Sequence, residues 1–207
     1  MWHRSTYVSC IYINELAFIL ENYGVQIKLF ADDVKLYMQI NNDVDVTQLQ
    51  LAIEWQLSVS VNKCCVLNIG KAAHNTCLSI NNTILPVVKS ARDLGILVSC
   101  DLSPSLHISD VVAKAHRRSA AIHRVFVSRN VDLPVRAYVV YVRPLVEHDS
   151  IIWSPFTVKD IKTIESVQRR FTKRLPGLNC LSYAERLKRV NLHFGVTASL
   201  HGLILLL

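Results

Sequence analysis

The chain has 207 residues, 51% of them apolar and 19% charged, and 23 Lys and Arg against 16 Asp and Glu give a net charge of +7. With a mean hydropathy of +0.26, this composition excludes a largely disordered chain, and only six Gly and six Pro exclude collagen-like or linker-dominated sequence. The charge is segregated: residues 1–70 hold four basic and seven acidic side chains, residues 71–207 nineteen and nine, an asymmetry that suits a polyanion on the basic part but equally a solvated surface with no partner.

In chain order, residues 7–20 are a mostly apolar segment, helix or strand, which Gly24 breaks. Val25, Ile27 and Leu29 then alternate with Gln26 and Lys28, and the period of two resumes as Val34, Leu36 and Met38. Two alternating runs joined by Ala31-Asp32-Asp33 predict a β-hairpin whose turn carries adjacent carboxylates. Residues 43–55 read as a short helix, 57–69 as a strand, and 78–84 and 94–98 as two more short strands, with a turn at Asn81-Asn82.

Beyond Asp101 the pattern becomes helical. Ile108, Val111, Val112, Ala115, Ile122 and Val125 make one apolar face of a long helix. Asp132 is the expected N-cap of the next, Pro134 lies in its first turn, and Pro144 kinks or ends it. Thr157 and Asp160 resemble a capping box opening a helix with apolar positions Val158, Ile161, Ile164, Val167, Phe171 and Leu175, which Pro176-Gly177 ends. Ser182 and Glu185 cap one further helix, to residue 190. The expected fold class is α+β, a strand-rich first half followed by three or four helices, in two subdomains meeting near residue 100.

The six cysteines (10, 64, 65, 77, 100 and 180) form no C-x-x-C pair, so neither a zinc ribbon nor a thioredoxin-like site is indicated. His74 and Cys77 are the closest His/Cys pair, Cys64-Cys65 read as small buried residues, and reduced thiols suit an intracellular protein, cytoplasmic or nuclear. No apolar run approaches the roughly 20 residues a bilayer requires, so no membrane partner is expected. His116 and His123 share a helical face beside arginines and read as surface polar groups; Trp55 and Trp153 read as packing anchors.

Asp32 and Asp33 are good turn formers in their own right. Clustered carboxylates are also the oxygen donors that Mg2+ prefers, and two such ions roughly 3.5–4 Å apart activate a hydroxyl nucleophile and stabilise the leaving oxygen in phosphoryl transfer.

Phe30-Ala31-Asp32-Asp33 between two alternating strands resembles the F-A-D-D box of reverse transcriptases from non-LTR (LINE-type) retrotransposons. Further stretches resemble that family in the same order: Tyr12-Ile13-Asn14-Glu15-Leu16, Asn62-Lys63-Cys64, Asp93-Leu94-Gly95-Ile96-Leu97, and Val142-Arg143-Pro144-Leu145-Val146-Glu147 followed by Trp153-Ser154-Pro155. Val167-Gln168-Arg169-Arg170-Phe171-Thr172-Lys173 and Leu181-Ser182-Tyr183-Ala184-Glu185-Arg186-Leu187 continue the series.

The resemblance implies part of a right-hand polymerase: a partial palm of antiparallel strands over residues 1–100, a helical thumb or connection over 101–192, and a divergent tail over 193–207. It implies RNA-directed DNA polymerase chemistry, with Asp32 and Asp33 binding Mg2+, Lys63 steadying the incoming triphosphate or protonating pyrophosphate, and RNA template, DNA primer and deoxynucleoside triphosphates as partners. The family's earlier Asp-bearing strand and fingers have no counterpart in these residues. The expectation is therefore a truncated domain, inactive alone, or alternatively a non-catalytic nucleic-acid-binding remnant or a degenerate product without a selected role.

Lys114, Arg117, Arg118 and Arg124 on the first long helix, and Arg169, Arg170, Lys173 and Arg174 on the third, are candidate contacts for a nucleic-acid backbone. Charge complementing a helix C-terminus is a sufficient structural reason for some of them, at roughly 0.3–1 kcal/mol each. Aromatic residues near these faces are scarce, Phe126 and Phe171 being the nearest, which argues against a dedicated single-strand reader.

Overall fold

A computed structural model describes residues 24–30, 33–54, 60–70, 77–126 and 130–192; the segments read above at 7–20 and 193–207, and Asp32, Trp55 and His74, lie outside them. The chain divides between Lys89 and Ser90 into two compact units.

In the first unit, β1 (Gln26–Phe30) and β2 (Asp33–Tyr37) pair antiparallel, with Phe30 opposite Asp33 and Lys28 opposite Lys35. Asp33 is thus the first residue of β2, one position beyond the connection. The pleat sends Ile27 and Leu36 to one face, where they pack with Leu49 and Met38 around buried Val25 and Ala52. Helix α1 (Asp43–Glu54) begins where Asp45 accepts from the amides of Asn41 and Asn42 (2.7 and 3.1 Å) while Asn42 Oδ1 accepts from the Asp45 amide at 3.0 Å. This reciprocal arrangement satisfies donors that a helix start leaves open. The strand expected over 57–69 is instead, in its described part, a 3-10 turn at Val61–Lys63, closed by Lys63 N–H to Ser60 O and Cys64 N–H to Val61 O, followed by two-residue β3 (Val66–Leu67).

Strands β4 (Ser79–Ile80) and β5 (Thr83–Ile84) form a hairpin where one strand was expected. Asn81 and Asn82 between them have φ of 50° and 60°, the left-handed pair of a type I′ turn, and Asn tolerates that region better than most residues. Gln50 of α1 both accepts from and donates to the Ser79 backbone at 2.9 Å, tying helix to hairpin over a small core of Ile53, Leu78, Ile80 and Leu85. Strand β6 (Val87–Val88) lies parallel to β3. All described strands pair in twos; no wider palm sheet occurs among the described residues.

The second unit opens with a hairpin of β7 (Ser90–Asp93) and β8 (Ile96–Ser99). Leu94 and Gly95 have φ of 45° and 93°, so Leu94, expected in a strand, sits in the turn. The hairpin is built onto α2 (Ser105–Val125) by an Arg92–Asp110 ion pair at 2.9 Å and by the Leu97 amide donating to His107 Nδ1 at 3.1 Å. Residues 90–99 therefore belong with the helices.

Helix α3 (Asp132–Tyr141) is followed after Val142 by α4 (Arg143–Glu147). Pro144 near the start of α4 has no N–H, and its ring excludes the carbonyl four residues back, so a continuous helix is broken there. Asp132 lies in the first turn rather than at the cap; Asn130 Oδ1 accepts its amide at 2.8 Å. Helix α5 (Val158–Lys173) is capped by Thr157, whose hydroxyl accepts from the Asp160 amide at 3.1 Å and donates to Asp160 Oδ2 at 2.7 Å. Val158, expected on the apolar face, is 66% exposed, because the first helical residue precedes the stripe that begins at Ile161. Helix α6 (Tyr183–Arg189) has a full Ser182/Glu185 capping box. The core meets at Phe171, 1% exposed, which stacks on Tyr138 of α3 at 4.3 Å and faces His123 of α2 at 4.7 Å.

Candidate functional site

Two-residue spacing puts Asp33 on the face of the β1–β2 hairpin opposite its apolar side, with Phe30, Lys28 and Lys35. Asp33 is exposed and enters no ion pair among the described residues. Asp32 lies outside the described residues. Lys63 is exposed in the 3-10 turn of the same unit, and no hydrogen bond or ion pair joins it to Asp33. Among the described residues no group of three or more His, Cys, Asp or Glu could hold a metal ion, and Asp33 shares its face with two lysines. The described part of the hairpin thus supplies one carboxylate, Asp33, on a face with Lys28 and Lys35, and Asp32 lies outside the described residues.

The eight basic candidates separate by what they touch. Lys114 pairs with Asp110 at 2.8 Å, Arg118 donates to the Tyr141 carbonyl at 2.9 Å, and the Arg169 guanidinium lies 4.7 Å from the centre of the Tyr183 ring. Hydrogen bonds from Lys114 and Arg92 hold the Asp110 carboxyl below its ordinary range. Arg117, Arg124, Arg170, Lys173 and Arg174 are exposed and enter no ion pair among the described residues. The last three cluster at the C-terminal end of α5, where their charge also complements the helix dipole.

His116 and His123 turn toward α5 instead of facing water. His116 Nε2 is 3.4 Å from Ser166 Oγ, and His123 packs on Phe171. Burial first, then Arg170 for His116 and Arg174 for His123, pushes both imidazoles below their ordinary pKa of 6.5. Burial likewise lowers His107. Phe171 is core, so it offers no ring to a base. Trp153 is buried, with its indole N–H donated to the His148 carbonyl at 2.7 Å. Cys65 is exposed and Cys64 half-buried, in contrast to the buried pair expected, and burial and the neighbouring thiol raise Cys64.

The sequence reading missed three exposed groups in the second unit: Phe156, 74% exposed, and Lys159 and Lys162 in the first half of α5. The two lysines continue, with Ser166, the helical stripe of Arg170 and Lys173 (159, 162, 166, 170, 173), which sequence periodicity could have found.

The chain is similar to an uncharacterized protein of Caenorhabditis elegans, 30% identical over 103 residues, which cover 48% of this chain and 52% of that protein. The match thus spans about half the length of the curated relative. No protein-family model matches the chain. No solved structure matches it significantly. No described helix is long and apolar enough to cross a membrane.

Proposed function

We propose that this chain is a portion of a non-LTR retrotransposon reverse transcriptase, in which Asp32 and Asp33 belong to the Mg2+-binding hairpin, Lys63 serves the incoming nucleoside triphosphate, and the helical unit follows the phosphates of template and primer. The observation that carries the reading is the F-A-D-D hairpin itself: its register leaves two residues between Phe30 and Asp33, and Asp33 stands on the solvent face with no ion pair among the described residues. The cations of α2 and α5 that are exposed and enter no ion pair among the described residues support the second half. Their contacts are to phosphate, so binding is salt-sensitive and tolerant of sequence.

On this reading the 207-residue chain alone does not extend a primer: the family it resembles takes a further metal-binding carboxylate from an earlier strand, and no group of three or more His, Cys, Asp or Glu that could hold a metal occurs among the described residues. A primed RNA template with Mg2+ and deoxynucleoside triphosphates is the assay. Extension by the purified chain that Asp32→Ala abolishes would overturn the inactivity. Absence of RNA or DNA binding at low salt would overturn the polynucleotide role.

A further inference from the structure

The exposed side of α5 carries a second feature, toward its beginning. Lys159, Lys162, Ser166, Arg170 and Lys173 recur at three- and four-residue steps and line one face, opposite the buried Ile164, Val167, Phe171 and Thr172. At 1.5 Å per residue the row from Lys159 to Lys173 extends about 21 Å, a few nucleotides of backbone. The helix dipole explains its C-terminal members. It disfavours Lys159, which lies in the first turn where positive charge is destabilising, and no acidic side chain pairs with Lys159 or Lys162 among the described residues. Lys159 is thus placed against helix stability.

Val158, Thr163 and Ser166 of the same helix flank the two lysines on an open surface. Two residues before Val158 stands Phe156, an aromatic ring 74% exposed, where burial of an apolar side chain would stabilise the fold by about 1.5–3 kcal/mol. An exposed aromatic, the exposed Val158, two ammonium groups unpaired among the described residues and short side chains form the combination that accepts single-stranded nucleic acid, a base stacking on the ring while lysines hold phosphates. In a duplex the base faces are already covered, and an aromatic there gains nothing.

We propose that the N-terminal half of α5, with Phe156, Lys159 and Lys162, is a single-strand subsite of the nucleic-acid surface, distinct from the arginine-rich end of the same helix. It rests on the polynucleotide role proposed above. The test is fluorescence anisotropy of the full chain with a labelled oligo(U) and, separately, a duplex of equal length, over a range of salt.

Phe156→Ala should weaken oligo(U) binding about tenfold, the loss of one stacked base, and leave duplex binding within twofold. Lys159→Gln with Lys162→Gln should lower the log–log salt slope for oligo(U) by about 1.4, at roughly 0.7 per phosphate contact. An unchanged oligo(U) affinity in Phe156→Ala, or an equal loss on the duplex, would overturn the subsite while leaving the polynucleotide role standing. Binding of neither nucleic acid by the parent chain would overturn both. Thermal melting of each variant, expected within a few degrees of the parent because all three residues are exposed, excludes unfolding as the cause.

Discussion

Phe171 is the largest fully buried side chain of the helical unit, and replacing it separates structural aromatic rings from exposed ones. Its ring is 1% exposed and is contacted from two other helices, by Tyr138 at 4.3 Å with an interplanar angle of 24° and by His123 at 4.7 Å. Truncating a buried Phe to Ala costs about 3–5 kcal/mol, the transfer term plus the cavity that the neighbours fail to fill. Phe171→Leu retains most of the volume and forfeits the ring pairs, each about 0.5–1.5 kcal/mol, for a total near 1–3 kcal/mol. In a domain of about 100 residues each kcal/mol moves the melting temperature by roughly 4–8 °C, so Phe171→Ala should melt roughly 20 °C below the parent and Phe171→Leu roughly 10 °C below. Far-UV circular dichroism follows this transition, since most of the helix is in this unit. Phe156→Ala, at 74% exposure, is the matched control and should lie within about 0.5 kcal/mol of the parent. A Phe171→Ala melt within a few degrees of the parent, or a Phe156→Ala melt as low as Phe171→Ala, would refute the assignment of Phe171 to the core and Phe156 to the surface.

Three further outcomes can be measured. His107, His116 and His123 are held below 6.5 chiefly by burial, so the unfolded chain takes up protons that the folded chain refuses; stability is fully present above pH 6.5 and declines as pH falls from there toward the folded values. The urea midpoint should drop between pH 7.5 and 5.5, less so in His123→Leu, and an unchanged parent midpoint would contradict the burial. Thr157→Val removes both the cap acceptor and a donor to Asp160, which is 4% exposed, and should cost about 2 kcal/mol in urea titration, against about 1 kcal/mol for Ser182→Ala at the solvent-exposed cap of α6; equal costs would show that Asp160 does not depend on Thr157. Asn82→Val should cost about 1–2 kcal/mol because φ is 60° there, whereas Asn82→Gly should not destabilise; a Val variant as stable as the parent would remove the type I′ assignment.

What could be read from the residues was local. Period-two alternation placed β1 and β2, and Thr157 and Ser182 marked helix starts because a cap is a contact across three residues. What could not be read was any feature that depends on a distant partner. Asp110 accepts from Arg92, eighteen residues away, as well as from Lys114 on its own helix; composition alone would count all three as surface charge. His116 and His123, two of the three histidines on α2, were read as outward because arginines flank them, yet the face they share is the one that α5 covers. The same reasoning ranks the cations. Arg170, Lys173 and Arg174 occur where a helix end favours positive charge whether or not a ligand exists, so they support the polynucleotide role less than a cation placed elsewhere does. Lys159 occurs where the helix disfavours it, three residues after an aromatic ring left in water. Residues placed against local stability need a reason outside the fold, and on this chain the front of α5 is where that reason is to be sought.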